Sequence, residues 1–311
     1  MKIVVTGALG HIGSALVRDL PARFPGIEIV MIDNFLTQRF ASLFDLPASG
    51  RYRFVEGDVR KTDLAPLFSG AAAVVHLAAI TDAAGSFGRA AEVEANNYAA
   101  TAAVAEAAAA AGAGLIALSS TSVYGTQAGL VDEDSDALKP QSPYAETKLR
   151  EEKLVAALAA SGRLRAISCR FGTIFGTSPG MRFHTAVNKF CWQAVMGQPL
   201  TVWRTAYDQK RPYLDLKDAI AAIAFIIDKR LHDGRIYNVL TLNATVGDIV
   251  ETIRTFVPGL AVDFVDSPIM NQLSYEVSDE RFRGLGFTPG GDLRRGVGET
   301  IALLSVANRR G

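Results

Sequence analysis

The chain is poor in the residues from which metal centres and disulfide frameworks are built. It has two cysteines, Cys169 and Cys191, and four scattered histidines in 311 residues, with no CxxC or HExxH spacing. Two isolated thiols exclude a disulfide framework, and we expect both to be buried. No local ligand signature for a metal is present, so we predict that the protein uses none.

The sequence also lacks an excess of either charge and any long apolar run. Lysine plus arginine equals aspartate plus glutamate at 32 each, which leaves no basic field for nucleic acid and no acidic tail. No stretch of about 18 uncharged residues is hydrophobic enough to span a bilayer, and the first residues do not resemble a secretory leader. We therefore expect a cytoplasmic protein that binds neither nucleic acid nor membrane.

A glycine-rich turn follows the first apolar run of the chain. Residues 2–5 lead into TGALGHIG, residues 6–13, whose glycines have the spacing GxxGxxG. A strand that breaks into such a turn and opens a helix presents backbone N–H groups to a dinucleotide pyrophosphate. Gly7 permits the tight turn, Gly10 allows close approach to phosphate, and Gly13 lets the helix pack on the sheet. The predicted cofactor contacts in this turn are Gly7, Gly10, His11, Ile12 and Gly13.

Asp33 indicates which dinucleotide the turn binds. It closes a second apolar run, residues 27–32, about 20 residues beyond the turn. A carboxylate at that place accepts a hydrogen bond from an adenosine ribose 2′-OH and repels a 2′-phosphate. The sequence therefore predicts NAD rather than NADP, with Asp33 and the adjacent Asn34 at the adenosine end.

Apolar runs of strand length alternate with helical patterns through the first half of the chain. The runs cover residues 2–6, 27–32, 52–56, 73–76, 115–119 and 165–170. This alternation is typical of βαβ units, and near-continuous hydrophobic strands indicate a parallel sheet covered on both faces. We predict an α/β fold with a doubly wound parallel sheet, a Rossmann fold, whose ligands lie at the carboxyl ends of the strands.

The pattern becomes irregular after about Gly176, where prolines and glycines punctuate shorter elements. We predict an NAD-binding domain over residues 1–175 and a mainly substrate-binding lobe over residues 176–311. A return segment near residues 210–240 is expected to cross back to the sheet, because residues 233–239 resemble a late strand.

Tyr144 and Lys148 form the strongest catalytic pattern. In SPYAETK, residues 142–148, they are four positions apart and share one face of a helix. A cation beside a phenol lowers the phenol pKa, so Tyr144 is expected to act as an acid or base near neutral pH. The same ammonium can bind the nicotinamide ribose. The pattern alone is common on solvated helices, and the glycine turn is what strengthens it.

Hydroxyl groups follow the predicted strand at residues 115–119. Residues 119–125, SSTSVYG, bring them to the sheet edge where ligand is expected. We select Ser120 as the hydroxyl that polarises the reacting oxygen, although some of these hydroxyls satisfy the backbone of their own turn.

These motifs together resemble the extended short-chain dehydrogenase/reductase family, most closely its UDP-sugar 4-epimerases. The likeness includes the glycine turn, Asp33, GDV at 57–59, HLAA at 76–79, Asn97, SSTSVYG and SPYAETK, and a closing segment at 278–289. The resemblance implies catalysis by Ser120, Tyr144 and Lys148. It adds cofactor contacts at Asp58, Val59, Leu77, Ala78, Ala79, Tyr144 and Lys148, and at Asn97, which would hold the helix beneath the cofactor. Family epimerases oxidise a sugar carbon with NAD and return the hydride to the opposite face, so NAD stays bound.

The same resemblance narrows the branch of the family. Its dehydratases carry acidic residues just after the catalytic hydroxyl, and its sugar-acid decarboxylases keep a glutamate at the second of those positions. Here the two positions are Thr121 and Ser122. The remaining hypotheses are an epimerase, a dehydrogenase or ketoreductase of a smaller hydroxylated substrate, and a non-catalytic NAD-binding sensor.

Substrate contacts are also implied by the resemblance. Arg211 matches the family arginine that pairs with a substrate diphosphate, a role suited to a planar bidentate cation. The further predicted contacts are Thr81, Ser120, Thr121, Thr173, Arg182 and Asn188. Two departures from the family stand out: Thr173 replaces a common asparagine, and residues 271–275 contain no arginine to serve as a second diphosphate partner.

An alanine-rich helix is predicted over residues 92–112, where helix propensity is near its maximum. It is either a tightly packed buried helix or a subunit interface formed with the helix near residues 144–161, since small side chains permit close approach. Mostly on the strength of the resemblance, we expect a homodimer through these two helices.

Overall fold

A computed structural model describes residues 1–81, 87–266 and 274–308 of the chain. The described strands are β1 (Lys2–Thr6), β2 (Glu28–Asp33), β3 (Arg51–Glu56), β4 (Ala73–His76), β5 (Gly114–Ser120), β6 (Leu130–Val131), β7 (Arg165–Phe171), β8 (Thr173–Phe175), β9 (Leu200–Trp203), β10 (Lys210–Asp215), β11 (Ile236–Val239), β12 (Leu242–Thr245), β13 (Val262–Val265) and β14 (Glu276–Val277). The described α-helices are α1 (His11–Arg23), α2 (Ala65–Phe68), α3 (Ala90–Ala111), α4 (Pro143–Ala160), α5 (Ala186–Val195), α6 (Leu216–Lys229), α7 (Val246–Arg254), α8 (Glu280–Arg283) and α9 (Leu293–Ser305).

Seven parallel strands form the main sheet, in the order β11-β7-β5-β4-β1-β2-β3. The predicted doubly wound Rossmann fold is confirmed, and the six predicted strands begin and end within one residue of their expected bounds. The winding reverses beside β1, because β2 lies on one side of it and β4 on the other. That reversal opens a crevice at the carboxyl ends of β1 and β4, where ligands of such sheets bind.

Both faces of the main sheet are buried, as the continuous hydrophobic strands require. Alternate residues of β1 enter different cores: Ile3 and Val5 lie with α1 and α6, and Val4 lies with α3 and α4. Burial on both faces fixes the register of β1, since a slip of one residue would exchange the two sets.

The alanine-rich helix α3 lies beside α4 and ends at Gly112, which adopts φ +64°. One side of α3, including Val104 and Ala108, is buried against the sheet, whereas Ala95 and Ala99 on another side are exposed. The helix therefore combines the tightly packed face with an exposed face of small residues.

The C-terminal lobe has a core of its own, formed by α5, α7 and α9 with small sheets. Strands β12, β10 and β8 form one of these sheets. The chain then returns to the first half, where α6 packs against α1 and β11 pairs in parallel with β7. Across the described ranges, no helix is both long and apolar enough to cross a membrane.

Candidate active site

The glycine-rich turn has the geometry of a dinucleotide cradle. Gly7 has φ +64°, and a Cβ atom there would lie 2.7 Å from the backbone nitrogen of Ala78. A Cβ atom on Gly13 would lie 2.5 Å from the carbonyl oxygen of Gly7. The helix α1 begins next to Gly10, and no side chain of the described residues caps its first N–H groups. Uncapped N–H groups at a helix N-terminus attract an anion, so the residues fit a cofactor pyrophosphate.

Asp33 is held rigidly at the end of β2. Its carboxylate accepts hydrogen bonds from the N–H groups of Leu9 and Phe35, both at 3.0 Å. The side chain therefore points to a fixed place beside the glycine turn, as recognition of a ribose requires. Asp58, a predicted cofactor contact, pairs with Arg60 at 2.5 Å, and the hydrogen bond from that guanidinium lowers the Asp58 pKa.

A cavity of about 490 Å³ joins the turn to the C-terminal lobe. Every predicted site residue lines it except Asn97 and Asn188. Five lysine or arginine side chains and two carboxylates, Asp33 and Asp58, line its walls. The cations are Arg39, Lys148, Arg182, Lys189 and Arg211. This excess of positive charge suits a ligand that carries phosphates.

Asn97 and Asn188 require a correction, because neither lines the cavity. Asn97 is fully buried, and its amide bonds both to the N–H of Ile80 and to its carbonyl. Asn188 is also fully buried and bonds to the backbone of Gly176 and Arg182. Both amides satisfy backbone groups of loops that line the cavity, so they support ligand contacts without supplying them.

Ser142 and Pro143 position Tyr144 in the first turn of α4. The Ser142 hydroxyl accepts a hydrogen bond from the N–H of Ala145, and Pro143 occupies the first helical position. Tyr144 and Ser120, the last residue of β5, both line the cavity, and the Lys148 ammonium lies 5.9 Å from the centroid of the Tyr144 ring. The structure thus brings the three predicted catalytic residues to one place.

The Tyr144 pKa differs from the sequence expectation. Burial raises it above its usual value, whereas the charge of Lys148, the charge of Arg182 and the Ser120 hydrogen bond lower it in part. The spacing of a tyrosine and a lysine in the sequence shows that a stabilising charge lies near the phenol, but it does not show that the phenol is buried away from water. In this protein burial has the larger effect on the Tyr144 pKa.

The end of the cavity formed with the C-terminal lobe, where the sequence predicts the substrate, is called the substrate end, and it contains side chains from several elements. Arg182 donates to the hydroxyl of Thr81, and Arg211 extends from β10 into the cavity. The Thr121 hydroxyl donates to the carbonyl of Phe171 at 3.3 Å, and Tyr275 lines the same cavity. Of the segment 271–275, residues 271–273 lie outside the described residues.

Segment 178–182 of the lobe is fastened to the glycine turn. The Gly180 N–H donates to Ser14 at 3.0 Å, and a Cβ atom on Gly180 would lie 2.4 Å from the carbonyl oxygen of Leu9. The Ser178 hydroxyl lies 2.7 Å from Nδ1 of His11. The other ring nitrogen of His11 is buried and has no hydrogen-bond partner among the described residues, which also fits a bound polar ligand.

Sequence reasoning missed several lining residues, including Asn96, Arg39, Trp203 and Tyr275. Asn96 stands next to the predicted Asn97 on α3. Arg39 belongs to no motif and comes to the cavity through the irregular segment after β2. Within the described ranges, no group of three or more histidine, cysteine or acidic side chains is arranged to hold a metal ion.

Comparison with known proteins gives consistent matches over nearly the whole chain. The trifunctional UDP-glucose 4,6-dehydratase/UDP-4-keto-6-deoxy-D-glucose 3,5-epimerase/UDP-4-keto-L-rhamnose-reductase RHM1 of Arabidopsis thaliana is 28% identical over 96% of this chain, which spans 46% of that protein. The uncharacterized UDP-glucose epimerase YtcB of Bacillus subtilis (strain 168) is 29% identical, with 98% of each chain covered.

Solved structures extend the likeness to the fold. UDP-glucuronic acid 4-epimerase from Bacillus cereus, in complex with UDP-glucuronic acid and NAD, is 26% identical with a TM-score of 0.86, covering 99% of this chain and 100% of its own. The model of the NAD dependent epimerase/dehydratase family matches residues 3–239. Because this family depends on NAD, the match confirms the cofactor that the sequence predicts. The chain belongs to the NAD dependent epimerase/dehydratase family.

Proposed function

We propose that this protein is an NAD-dependent epimerase of a nucleotide-activated sugar. The observation that carries the proposal is one cavity that joins the glycine turn, the Ser120, Tyr144 and Lys148 group, and Arg211. NAD, when bound, accepts a hydride from a sugar carbon and returns it to the opposite face of the resulting ketone. The net reaction inverts one carbon and leaves the cofactor oxidised.

Tyr144 moves the proton in this reaction. In its deprotonated form the phenol takes the proton of the sugar hydroxyl as the carbonyl forms, and it gives the proton back on return. Ser120, which lines the same cavity, holds the reacting oxygen beside the phenol. The Lys148 charge stabilises the tyrosinate, and its ammonium is positioned to hold the cofactor ribose.

Arg211 is proposed to bind the substrate diphosphate. Arg211 extends from β10, and the pairing of β10 with β8 and β12 fixes the backbone of that strand. A guanidinium forms two parallel hydrogen bonds with phosphate oxygens, which orients the nucleotide so that the sugar reaches Tyr144. Arg182 acts on the reacting group as well, since its charge lowers the Tyr144 pKa in part.

A dehydratase is disfavoured by the positions after Ser120. Elimination of water needs a group that moves a second proton, and these positions hold Thr121 and Ser122. Thr121 donates to the carbonyl of Phe171, and Ser122 donates to Ser120. Neither side chain has a carboxyl group.

The test is incubation of the purified protein with a panel of UDP- and dTDP-sugars, followed by NMR of the products. Mass spectrometry of the denatured protein reports the cofactor it carried. We expect an epimer without net NADH, and NAD retained through purification. The absence of both an epimer and bound NAD would contradict the proposal.

A second candidate is a dehydrogenase or ketoreductase of a smaller hydroxylated substrate. It is favoured by the absence of arginine from residues 271–275, where a second diphosphate partner is expected. The two candidates differ in stoichiometry, because a dehydrogenase releases one NADH for each product. Absorbance of NADH during turnover distinguishes them.

The exposed alanine face of α3 supports a homodimer through α3 and α4. Ala95 and Ala99 are exposed there, and small side chains permit close approach of helices. Light scattering of the purified protein is expected to give twice the chain mass, and Ala99→Arg is expected to halve it. A wild-type protein with the mass of one chain would contradict the proposed dimer but would not bear on the proposed reaction.

A further inference from the structure

Helix α4 carries two adjacent buried carboxylates, Glu151 and Glu152, that have different partners. Glu152 accepts two hydrogen bonds from Arg170, at 2.9 and 2.8 Å, and a third from Ser119. That pair ties α4 to β7 and β5. Glu151 instead faces the catalytic side: its Oε2 lies 2.9 Å from the Lys148 ammonium. Both glutamates are at most 5% exposed.

The contacts of Lys148 leave its ammonium little freedom. One N–H donates to the carbonyl oxygen of Leu118 and another to Glu151, both at 2.9 Å. An ammonium has three donors, so one N–H remains for a ligand in the cavity. The two fixed contacts, one on β5 and one on α4, determine its direction.

A chain of hydrogen bonds approaches Glu151 from the other side. The Thr101 hydroxyl lies 2.9 Å from Glu151 Oε2, His76 Nε2 lies 3.2 Å from Thr101, and Thr6 lies 2.8 Å from His76 Nδ1. Thr6 accepts in turn from the N–H groups of Leu77 and Ala78, both at 3.3 Å. This chain of hydrogen bonds thus begins at the backbone of Leu77 and Ala78, which line the cavity, and ends at the Glu151 carboxylate.

The chemistry of the groups assigns the direction of every proton in this chain. A carboxylate only accepts, so the Thr101 hydroxyl donates to Glu151 and its oxygen accepts from His76 Nε2. Burial, followed by the charge of Lys148, lowers the His76 pKa to about 3, so the ring is neutral and its Nδ1 accepts from Thr6. Each donor points towards Glu151, an arrangement in which every bond strengthens the next.

Glu151 also acts on Tyr144 through its charge. Burial and Glu151 raise the Tyr144 pKa, whereas Lys148, Arg182 and Ser120 lower it. Burial lowers the Lys148 pKa, but Glu151, Tyr144 and, as the smallest contribution, the charge of Glu152 outweigh that effect and raise it overall, so the ammonium stays charged. The charged groups that act on the phenol therefore come from α4 itself and from the segment before α5.

We propose that Glu151 is a positioning residue of the active site. Glu151 fixes the Lys148 ammonium beside Tyr144 and offsets part of the charge of that ammonium. The hydrogen-bond chain through Thr101, His76 and Thr6 holds the Glu151 carboxylate in place. The inference rests on the proposed function for its role in turnover, but its geometry is independent of any substrate.

The test is an ultraviolet difference titration of tyrosinate in the NAD-loaded protein. Each protein is measured against the same protein carrying Tyr144→Phe, so the difference reports Tyr144 alone. Removal of a nearby negative charge favours the tyrosinate, so Glu151→Gln is expected to lower the pH of ionisation by about one unit. Glu151→Asp keeps the charge and is expected to restore most of the wild-type value.

Glu152→Gln is the matched control, because it makes the same change one residue along the same helix. It is expected to lower the melting temperature without moving the Tyr144 ionisation. If Glu151→Gln behaves in the same way, with a lower melting temperature and an unchanged titration, Glu151 is a structural residue and the proposal is wrong.

A stability measurement covers the case in which Glu151→Gln does not fold. Lys148→Met leaves the Glu151 charge buried and uncompensated, so adding Glu151→Gln in that background is expected to raise the melting temperature. A double variant no more stable than Lys148→Met would overturn the proposal. Since neither measurement needs a substrate, a protein that epimerises no sugar but shows the titration shift refutes the proposed function and leaves this inference intact.

Discussion

The cofactor end and the substrate end of the cavity are built by different means. At the cofactor end the main chain sets the geometry: Gly7 adopts φ +64°, and two backbone N–H groups hold Asp33. At the substrate end long side chains such as Arg182 and Arg211 reach in from separate elements. A fixed main chain needs little rearrangement on binding, whereas long side chains adapt. We therefore expect the cofactor end to tolerate few substitutions and the substrate end to set specificity.

The largest effect is expected at Tyr144, where the two ends meet. Tyr144→Phe removes the phenolic hydroxyl, and kcat is expected to fall by about 10²- to 10⁴-fold because proton transfer is lost. The cofactor end is untouched, so the amount of NAD retained should equal that of the wild type. Product NMR and cofactor analysis on one sample check both, and a variant of full activity would exclude Tyr144 as the group that moves the proton.

Gly7→Ala breaks the cofactor end itself. The left-handed conformation costs a residue with a side chain about 1–2 kcal/mol, and the 2.7 Å approach to Ala78 adds a clash. We expect lower stability in urea unfolding and loss of retained NAD. Gly26→Ala is the control, because Gly26 has φ +74° with nothing within 4 Å of its Cβ position. Equal effects of the two variants would mean that conformation, not space, limits position 7.

Arg211→Lys examines the substrate end. The charge is kept but the bidentate fork is lost, so KM for the nucleotide sugar is expected to rise about tenfold with little change in kcat. NAD retention should not change. Arg254→Lys, on the exposed side of α7, is the control and should leave KM unaltered. An unchanged KM in Arg211→Lys would remove the diphosphate role from this residue.

The last effect concerns the acid stability of the whole protein and not one end of the cavity. Burial, followed by the charges of Arg182, Arg39 and His184, lowers the His11 pKa to about 3, and His76 has a pKa of about 3 for the reasons given above. Both rings stay neutral when folded but gain protons when unfolded below about pH 6.5. Stability is therefore expected to fall between pH 6.5 and 3, by about 1.4 kcal/mol per pH unit for each ring at the acid end. Urea midpoints at pH 7.5 and 5.5 measure the loss, and His76→Gln should reduce it; an unchanged slope would place the effect elsewhere.

Local patterns predicted the fold and the positions of the turn and of Asp33. The strands, the turn at residues 6–13 and the place of Asp33 depend on periodicity and on residues about 20 apart, so spacing alone locates them. The same holds for Tyr144 and Lys148, which share one helical turn. The role of each still awaits measurement.

What the sequence could not reveal depends on distant partners. Asn97 and Asn188 have side chains suited to ligands, but each bonds to backbone groups that only the folded chain brings near. Glu151 looks like a surface glutamate of α4, yet it is buried against Thr101 of α3. The raised Tyr144 pKa has the same origin, because burial is a property of the whole fold.

Gly180 lies in close contact with the glycine turn, and this contact limits how the protein can change through evolution. Gly180 lacks a positive φ, so what excludes a side chain there is the 2.4 Å distance to the carbonyl of Leu9. Any larger residue must push the lobe segment that carries Arg182 away from the turn. New substrate preferences can thus arise by exchange of side chains around the lobe, whereas drift at position 180 alters both ends of the cavity together.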